Sequence, residues 1–219
     1  MFHHGRHVAG FRTSWAVTER LIFWATLTEW QHATTIKANP DYAQQPVREH
    51  ALRDGKLLFM AVPKLATIKP FYRLDPKVLG DNPERAADRY VAAQSAIMVA
   101  VDELPRIDLI VCGSVAVNHA GARIGKGTGY SDIEVALLAE AGLISDQTTI
   151  VTTVHTLQVV DKPLPTTEHD FSVDLIVTPK EIIRCGPSPR LHRLVWEHLN
   201  PETIMKIPVL KARSGMRHG

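Results

Sequence analysis

The chain is poor in cysteine, has no long apolar stretch and carries nearly balanced charge. Only Cys112 and Cys185 are present among 219 residues, without a CxxC pair, which argues against a disulfide framework or a structural zinc site. No uncharged apolar run approaches the ~18 residues of a membrane span. A formal net charge of +2 gives no sign of a polyanionic partner. The first residues, "MFHHGRHVAG", lack the apolar core of a signal peptide. We therefore expect a cytoplasmic enzyme or binding protein.

Short apolar segments alternate with helical patterns along the chain. A hydrophobic content of 45% and a charged content of 22% are typical of a globular protein. We predict central strands at "KLLFMAV", "IDLIVCG", "TTIVTTV" and "VDLIVT", and a short strand at "TTIKA". Helices are predicted at 14–33, 47–54, 84–101, 130–142 and 190–199, the fourth of them amphipathic. The alternation predicts an α/β fold with a mainly parallel sheet.

The segment 121–132, "GARIGKGTGYSD", lies between a predicted strand and a predicted helix. Glycines let the backbone approach an anion closely, and the amides at a helix N-terminus attract negative charge. Arg123 and Lys126 add full positive charges, and Asp132 is suited to hold magnesium or orient a ligand. The spacing matches neither of the common nucleotide-binding loops. We favour a phosphate-binding loop over the alternative, a flexible surface loop with incidental charge.

The segment 108–138 resembles the 5-formyltetrahydrofolate cyclo-ligase (methenyltetrahydrofolate synthetase) family, whose motif is Gly-x-Arg-Leu-Gly-x-Gly-x-Gly-Tyr-Tyr-Asp. The resemblance continues through 41–65 and 154–179. "NPDYAQQPVR", "GSVAV" and "RIGKGTGY" are similar to the methenyltetrahydrofolate synthase domain-containing paralogues. The resemblance to this family implies a three-layer α/β/α fold with a mainly parallel sheet, of the NagB/RpiA/CoA-transferase-like type. We expect a single such domain over 1–219, with frayed tails at about 1–10 and 209–219.

The resemblance implies a MgATP-dependent reaction that converts 5-formyltetrahydrofolate into 5,10-methenyltetrahydrofolate, with release of ADP and phosphate. It implies that Arg123, Lys126 and Tyr130 act in catalysis and that Asp132 binds magnesium. Reduced folate would contact Asp41, Met60 and Tyr130. ATP would be held by Gly121, Arg123, Gly125, Lys126, Gly127, Thr128, Gly129 and Tyr130. Of partners, we expect folate and ATP, no membrane and no nucleic acid, in a monomer or homodimer.

Three departures from the family pattern keep a second hypothesis open. Ser131 stands where the family has its second tyrosine, and Asp41 stands where it has a glutamate. The family's first helix carries basic residues that hold ATP phosphates, for which Arg6 or Arg12 are the candidate substitutes. The same departures suit a paralogue that binds nucleotide and a folate- or thiamin-related ligand without cyclo-ligase turnover.

Other residues have two interpretations each. Asp41 is alternatively a helix N-cap. Arg48 would form an ion pair with Asp41, reach a substrate carboxylate or pair at the surface. His155 and the His169–Asp170 pair are acid/base candidates, although packing or hydrogen bonding is the favoured role. Cys112 is expected to be an inert buried thiol. The "FHHGRH" segment is more typical of a frayed terminus than of a metal site.

Overall fold

The computed structural model describes residues 26–187 and 193–216. The predicted helix over 14–33 lies largely outside the described residues, as do Arg6, Arg12 and "FHHGRH". The described helices are α1 (Thr28–His32), α2 (Gln45–Arg53), α3 (Arg89–Ser95), α4 (Tyr130–Glu140), α5 (Pro201–Lys206) and α6 (Pro208–Met216). Short 3₁₀ turns cover Tyr42–Gln44, Pro63–Leu65, Pro83–Ala87, Val101–Glu103, Thr156–Gln158 and Trp196–His198.

The described strands form one large sheet and one small sheet. They are β1 (Thr35–Ala38), β2 (Leu57–Ala61), β3 (Phe71–Leu74), β4 (Ile97–Val99), β5 (Leu109–Gly113), β6 (Ala116–Asn118), β7 (Arg123–Ile124), β8 (Thr149–Thr153), β9 (Val159–Val160), β10 (Leu175–Val177) and β11 (Ile182–Arg184). The large sheet has the order β11-β10-β8-β5-β1-β2-β3-β4, and the small one has the order β7-β6-β9. Strands β10, β8, β5, β1 and β2 run parallel, whereas β3, β4 and β11 pair antiparallel toward the edges. The predicted mainly parallel sheet and its four central strands are confirmed.

Side chains alternate between the two faces of the large sheet, and each face has its own apolar core. Phe59 and Ile110 pack with α4 on one face, whereas Leu58 and Val111 pack with α1, α2 and α3 on the other. Burial on both faces explains why the central strands are almost continuously apolar. The result is the predicted three-layer α/β/α arrangement.

Helix α4 is more buried than its sequence pattern indicated. The predicted helix is confirmed, but residues 133–138 are buried in succession, so the prediction that it is amphipathic is wrong. The reason is that α4 is covered on two sides. The sheet lies on one side, and Leu194, Val209 and Leu210 from the segment 193–216 belong to the same apolar core. Residues 209–216 are therefore part of an ordered helix, α6, and not of a frayed tail.

Two other helix predictions need correction. The long helix expected over 84–101 is only α3, which Asp88 caps by accepting the N–H groups of Tyr90 and Val91. It ends before Ile97, because the apolar segment that follows pairs with β3 as an edge strand. The helix expected over 190–199 is a 3₁₀ turn at Trp196–His198 in its described part. None of the described helices combines the length and apolarity needed to cross a bilayer.

A buried ion pair joins the central strand β1 to α4. The Lys37 ammonium is fully buried and donates to the Glu134 carboxylate and to Asn39 Oδ1, the latter at 2.7 Å. Asn39 Nδ2 in turn donates to Ser131 Oγ at 2.8 Å in the first turn of α4. Buried charges need such partners, because an isolated ion in a protein interior is strongly destabilising.

Replacing Lys37 with methionine should therefore destabilise the fold through the carboxylate that it leaves behind. We expect Lys37→Met to lower the free energy of unfolding by about 3–5 kcal/mol, measured by urea denaturation. Adding Glu134→Leu to the same chain should recover most of that loss, because no unpaired charge remains. A double variant less stable than the single one would contradict this explanation.

Candidate active site

The first glycine of the segment 121–132 meets a packing requirement. Gly121 is buried with φ +85°, and its carbonyl accepts the N–H of Val173 at 2.9 Å. A Cβ at this position would lie 2.2 Å from the Val173 carbonyl oxygen. Gly121 thus allows two main-chain segments to touch, and it does not face solvent as the predicted phosphate-binding loop requires.

The exposed part of the segment is the stretch 126–129 directly before α4. Gly127 has φ +81° with open space around it, and Gly129 has φ +69° as the N-cap residue of α4. Both backbone angles favour glycine. The first N–H groups of α4 follow at Tyr130, and such groups have no partner within a helix. The predicted solvent-exposed loop at a helix N-terminus is confirmed for these residues.

Arg123 lies beneath the loop and not on its surface. It is buried in β7, its guanidinium carbon is 4.0 Å from the Phe171 ring centroid, and its Nη2 donates to Asp132 Oδ1 at 2.8 Å. Its Nε and Nη1 are buried without a hydrogen-bond partner among the described residues. Gly125 packs over this guanidinium: a Cβ there would lie 3.2 Å from Nη1. The motif's arginine therefore supports the loop from below.

Lys126 connects the loop to the end of β1. Its Nζ lies 2.7 Å from Asp41 Oδ1, and the two side chains are 65% and 31% exposed. Asp41 precedes the Tyr42–Gln44 turn, but its side chain makes no capping hydrogen bond there. The alternative of a helix N-cap is thus wrong for the Asp41 carboxylate. An ion pair this exposed contributes little to stability, so it opens readily for a ligand.

Arg48 has a structural role. It is buried in α2 and donates to the main-chain carbonyls of Ala87 at 2.8 Å, Asn39 at 2.5 Å and Asp41 at 2.9 Å. Burial lowers the pKa of Arg48 to about 10. The expected surface ion pair and substrate contact are both wrong; Arg48 holds the chain after β1 in place.

A cavity of about 230 Å³ opens beside the first turn of α4. Asp132 and Asp170 both line it, and burial raises the pKa of Asp132, an effect that the Arg123 guanidinium opposes and the Asp170 carboxylate reinforces. The other residues that line the cavity are Thr128, Gly129, Ile133, Ala136, His169, Arg193, Leu194, Val195, Leu199 and Thr203. Arg193 was not predicted to belong to a site, and Asp170 was expected only as a partner of His169.

Three further predictions have clear outcomes. Met60 is fully buried in β2 on the side of α2, so it does not belong to the site. His155 Nδ1 accepts the N–H of Leu157 at 3.2 Å, which confirms the favoured hydrogen-bonding role of this residue. Cys112 is fully buried and burial raises its pKa, as expected of an inert thiol. Tyr130 starts α4 and packs against the core with its side chain partly exposed.

Comparison with known proteins identifies the family. The sequence profile of the 5-formyltetrahydrofolate cyclo-ligase family matches residues 4–179. The chain belongs to this family. Among its curated relatives, methenyltetrahydrofolate synthase domain-containing protein of Mus musculus is 38% identical over 82% of this chain and 49% of its own length. The Bos taurus protein of the same name is 36% identical over 88% of this chain and 50% of its own.

The chain thus spans about half the length of the curated relatives it matches. The solved structure of Aquifex aeolicus 5,10-methenyltetrahydrofolate synthetase is similar to this chain, with a TM-score of 0.52 and 21% identity. The match covers 85% of this chain and 88% of that one, and it supports the fold. One wall of the cavity, at 193–203, lies beyond the residues that match the cyclo-ligase profile.

The two glycines with similar backbone angles should respond differently to alanine. Gly127→Ala should cost about 1–2 kcal/mol of unfolding free energy, because only the left-handed backbone angle is strained. Gly121→Ala should lose a further ~1–3 kcal/mol, since the new methyl group also overlaps the Val173 carbonyl. Urea denaturation measures both values, and equal losses would refute the packing role of Gly121.

Proposed function

We propose that this chain is an ATP-dependent cyclo-ligase that converts 5-formyltetrahydrofolate into 5,10-methenyltetrahydrofolate, with release of ADP and phosphate. The observation that carries the proposal is the 2.7 Å contact between Lys126 of the glycine loop and Asp41 at the end of β1. Lys126, whose ammonium group is suited to bind phosphate, thus lies beside Asp41, whose carboxylate is suited to bind the pterin ring. Membership of the cyclo-ligase family supports this reaction class.

The nucleotide phosphates bind along the exposed loop and the first turn of α4. Gly125, Gly127, Thr128 and Gly129 bring the main chain close to the phosphates, and Lys126 supplies a mobile charge. Arg123 contributes from below the loop, by holding Asp132 and supporting Gly125. Tyr130 faces the transferred phosphate from the start of α4. Arg193 adds a second cation at the cavity wall.

The residues at the cavity fit a magnesium ion. Asp132 and Asp170 offer the hard carboxylate oxygens that magnesium prefers, and they lie close enough for the charge of one to raise the pKa of the other. Magnesium bound there would neutralise charge on the phosphate oxygens. Arg123 fixes the orientation of the Asp132 carboxylate with its Nη2–Oδ1 hydrogen bond.

The reaction requires positioning and charge neutralisation more than a strong base. The formyl oxygen attacks the γ-phosphorus and ADP leaves; N10 then closes on the activated carbon, and phosphate leaves with the former formyl oxygen. Asp41 accepts hydrogen bonds from pterin N–H groups and so holds the folate beside the loop. When the folate binds the Asp41 carboxylate, its ion pair with Lys126 opens and Lys126 can bind the phosphates.

Turnover tests the proposal directly. We expect the full chain, mixed with MgATP and 5-formyltetrahydrofolate, to generate the absorbance of methenyltetrahydrofolate with release of ADP. Omitting ATP should abolish the signal. Absence of turnover under conditions in which an established cyclo-ligase is active would reject the assigned reaction.

Removing single charged groups should show which residue binds ATP and which residue binds folate. Lys126→Ala should weaken ATP binding by the ~1.5–3 kcal/mol of a hydrogen bond to a charged group, whereas Asp41→Asn should weaken folate binding and spare ATP. Calorimetry with each ligand alone measures both effects. Lys77→Ala and Asp161→Asn are matched controls, because both side chains are exposed elsewhere on the surface. If Lys126→Ala binds ATP like the parent, the loop is not the phosphate site.

The second candidate function is a paralogue that binds nucleotide and a folate- or thiamin-related ligand without turnover. One observation favours it: the hydroxyl of Ser131, in the place of the family's tyrosine, accepts a hydrogen bond from Asn39 and belongs to the Lys37 network. Binding of ATP and folate without release of ADP would favour this candidate over the first.

A further inference from the structure

Three metal-ligating side chains converge at the rim of the cavity. Glu168, His169 and His198 each offer a donor atom, and these atoms all lie within 4.8 Å of one another. His198 Nδ1 is 2.6 Å from Glu168 Oε1, and the two imidazole rings are 5.3 Å apart at an interplanar angle of 79°. All three side chains retain solvent access, so an ion has a way in.

Hydrogen bonds hold the two segments that supply these donors. In the turn with Glu168 and His169, Asp170 Oδ2 accepts the N–H and the hydroxyl of Thr167 at 2.7 and 2.9 Å. In the Trp196–His198 turn, the indole N–H of Trp196 donates to Glu140 of α4 at 3.0 Å. These hydrogen bonds hold the two main-chain segments in place, so rotation of the three side chains is enough to bring their donor atoms around one ion.

We propose that Glu168, His169 and His198 bind one divalent transition-metal ion of the zinc class. Two imidazole nitrogens and one carboxylate suit zinc, cobalt or nickel, whereas magnesium prefers the all-oxygen donors of Asp132 and Asp170. Donors around tetrahedral zinc are about 3.3 Å apart, given bond lengths near 2.0 Å. The three donor atoms here lie within 4.8 Å of one another, so small side-chain rotations would bring them to that spacing. Three protein ligands leave a coordination position for water or another ligand.

The bound ion would join two walls of the cavity. His169 lines the cavity from the turn after residue 167, and Leu199, next to His198, lines it from the C-terminal segment. A metal ion that holds both turns would fix the width of the opening beside α4. This site does not depend on the proposed cyclo-ligase reaction, because metal binding is measured without nucleotide or folate.

Cobalt titration of the full chain tests the site. Because His3, His4 and His7 are further candidate metal ligands in the sequence, all three are replaced with asparagine in a background variant. We expect one equivalent of Co²⁺ to give visible d–d absorption, zinc to displace it, and excess Mg²⁺ to leave it bound. His198→Ala should weaken binding by more than the ~10–100-fold that loss of an outer-shell partner causes.

Two matched variants distinguish this site from other metal contacts. His119→Ala removes an exposed histidine that pairs with Asp161 at 3.3 Å, and Asp132→Asn removes a magnesium candidate; both should retain Co²⁺. Glu168→Gln should lose affinity with the fold intact by circular dichroism, which guards against misfolding of His198→Ala. Equal Co²⁺ affinity in Glu168→Gln and the background, loss of Co²⁺ to Mg²⁺, or no binding at all would each overturn the proposal.

Discussion

The buried contact between Lys37 and Glu134 fixes how the central strand meets α4, and the site depends on that meeting. From Lys37 in β1 the chain leads through Asn39 to Asp41, and from Glu134 the helix leads back through Ser131 to the glycine loop. Hydrogen bonds between the two paths set the distance between Asp41 and Lys126. Because each buried polar group has its partner inside the network, a shift of the helix would leave several groups unsatisfied at once.

The large sheet and the loop before α4 were predictable because their signals are local. Runs of β-branched and aliphatic residues indicate buried parallel strands, and clustered glycines indicate unusual backbone angles. The environment of Arg123 was not predictable, because Phe171 and Asp132 reach it only in the folded chain. The same reason applies to the pairing of Asp41 with Lys126.

The C-terminal segment was the least predictable part. Its mixed composition at 193–216 gives no clear period, yet it supplies one wall of the cavity and part of the core around α4. This wall lies beyond the residues matched by the family profile. The loop side of the site therefore follows the family motif, whereas the opposite side belongs to a segment with its own sequence.

The double cover of α4 also bears on how the protein is made. Translation produces α4 and the strands beneath it before residues 193–216, so the outer apolar side of the helix lacks its cover during that interval. Trp196 and Arg213 then contact Glu140 at the end of α4 when the segment 193–216 has been made. Chaperones that bind apolar segments of nascent chains would find their target in this interval, and the C-terminal segment displaces them by taking the same surface.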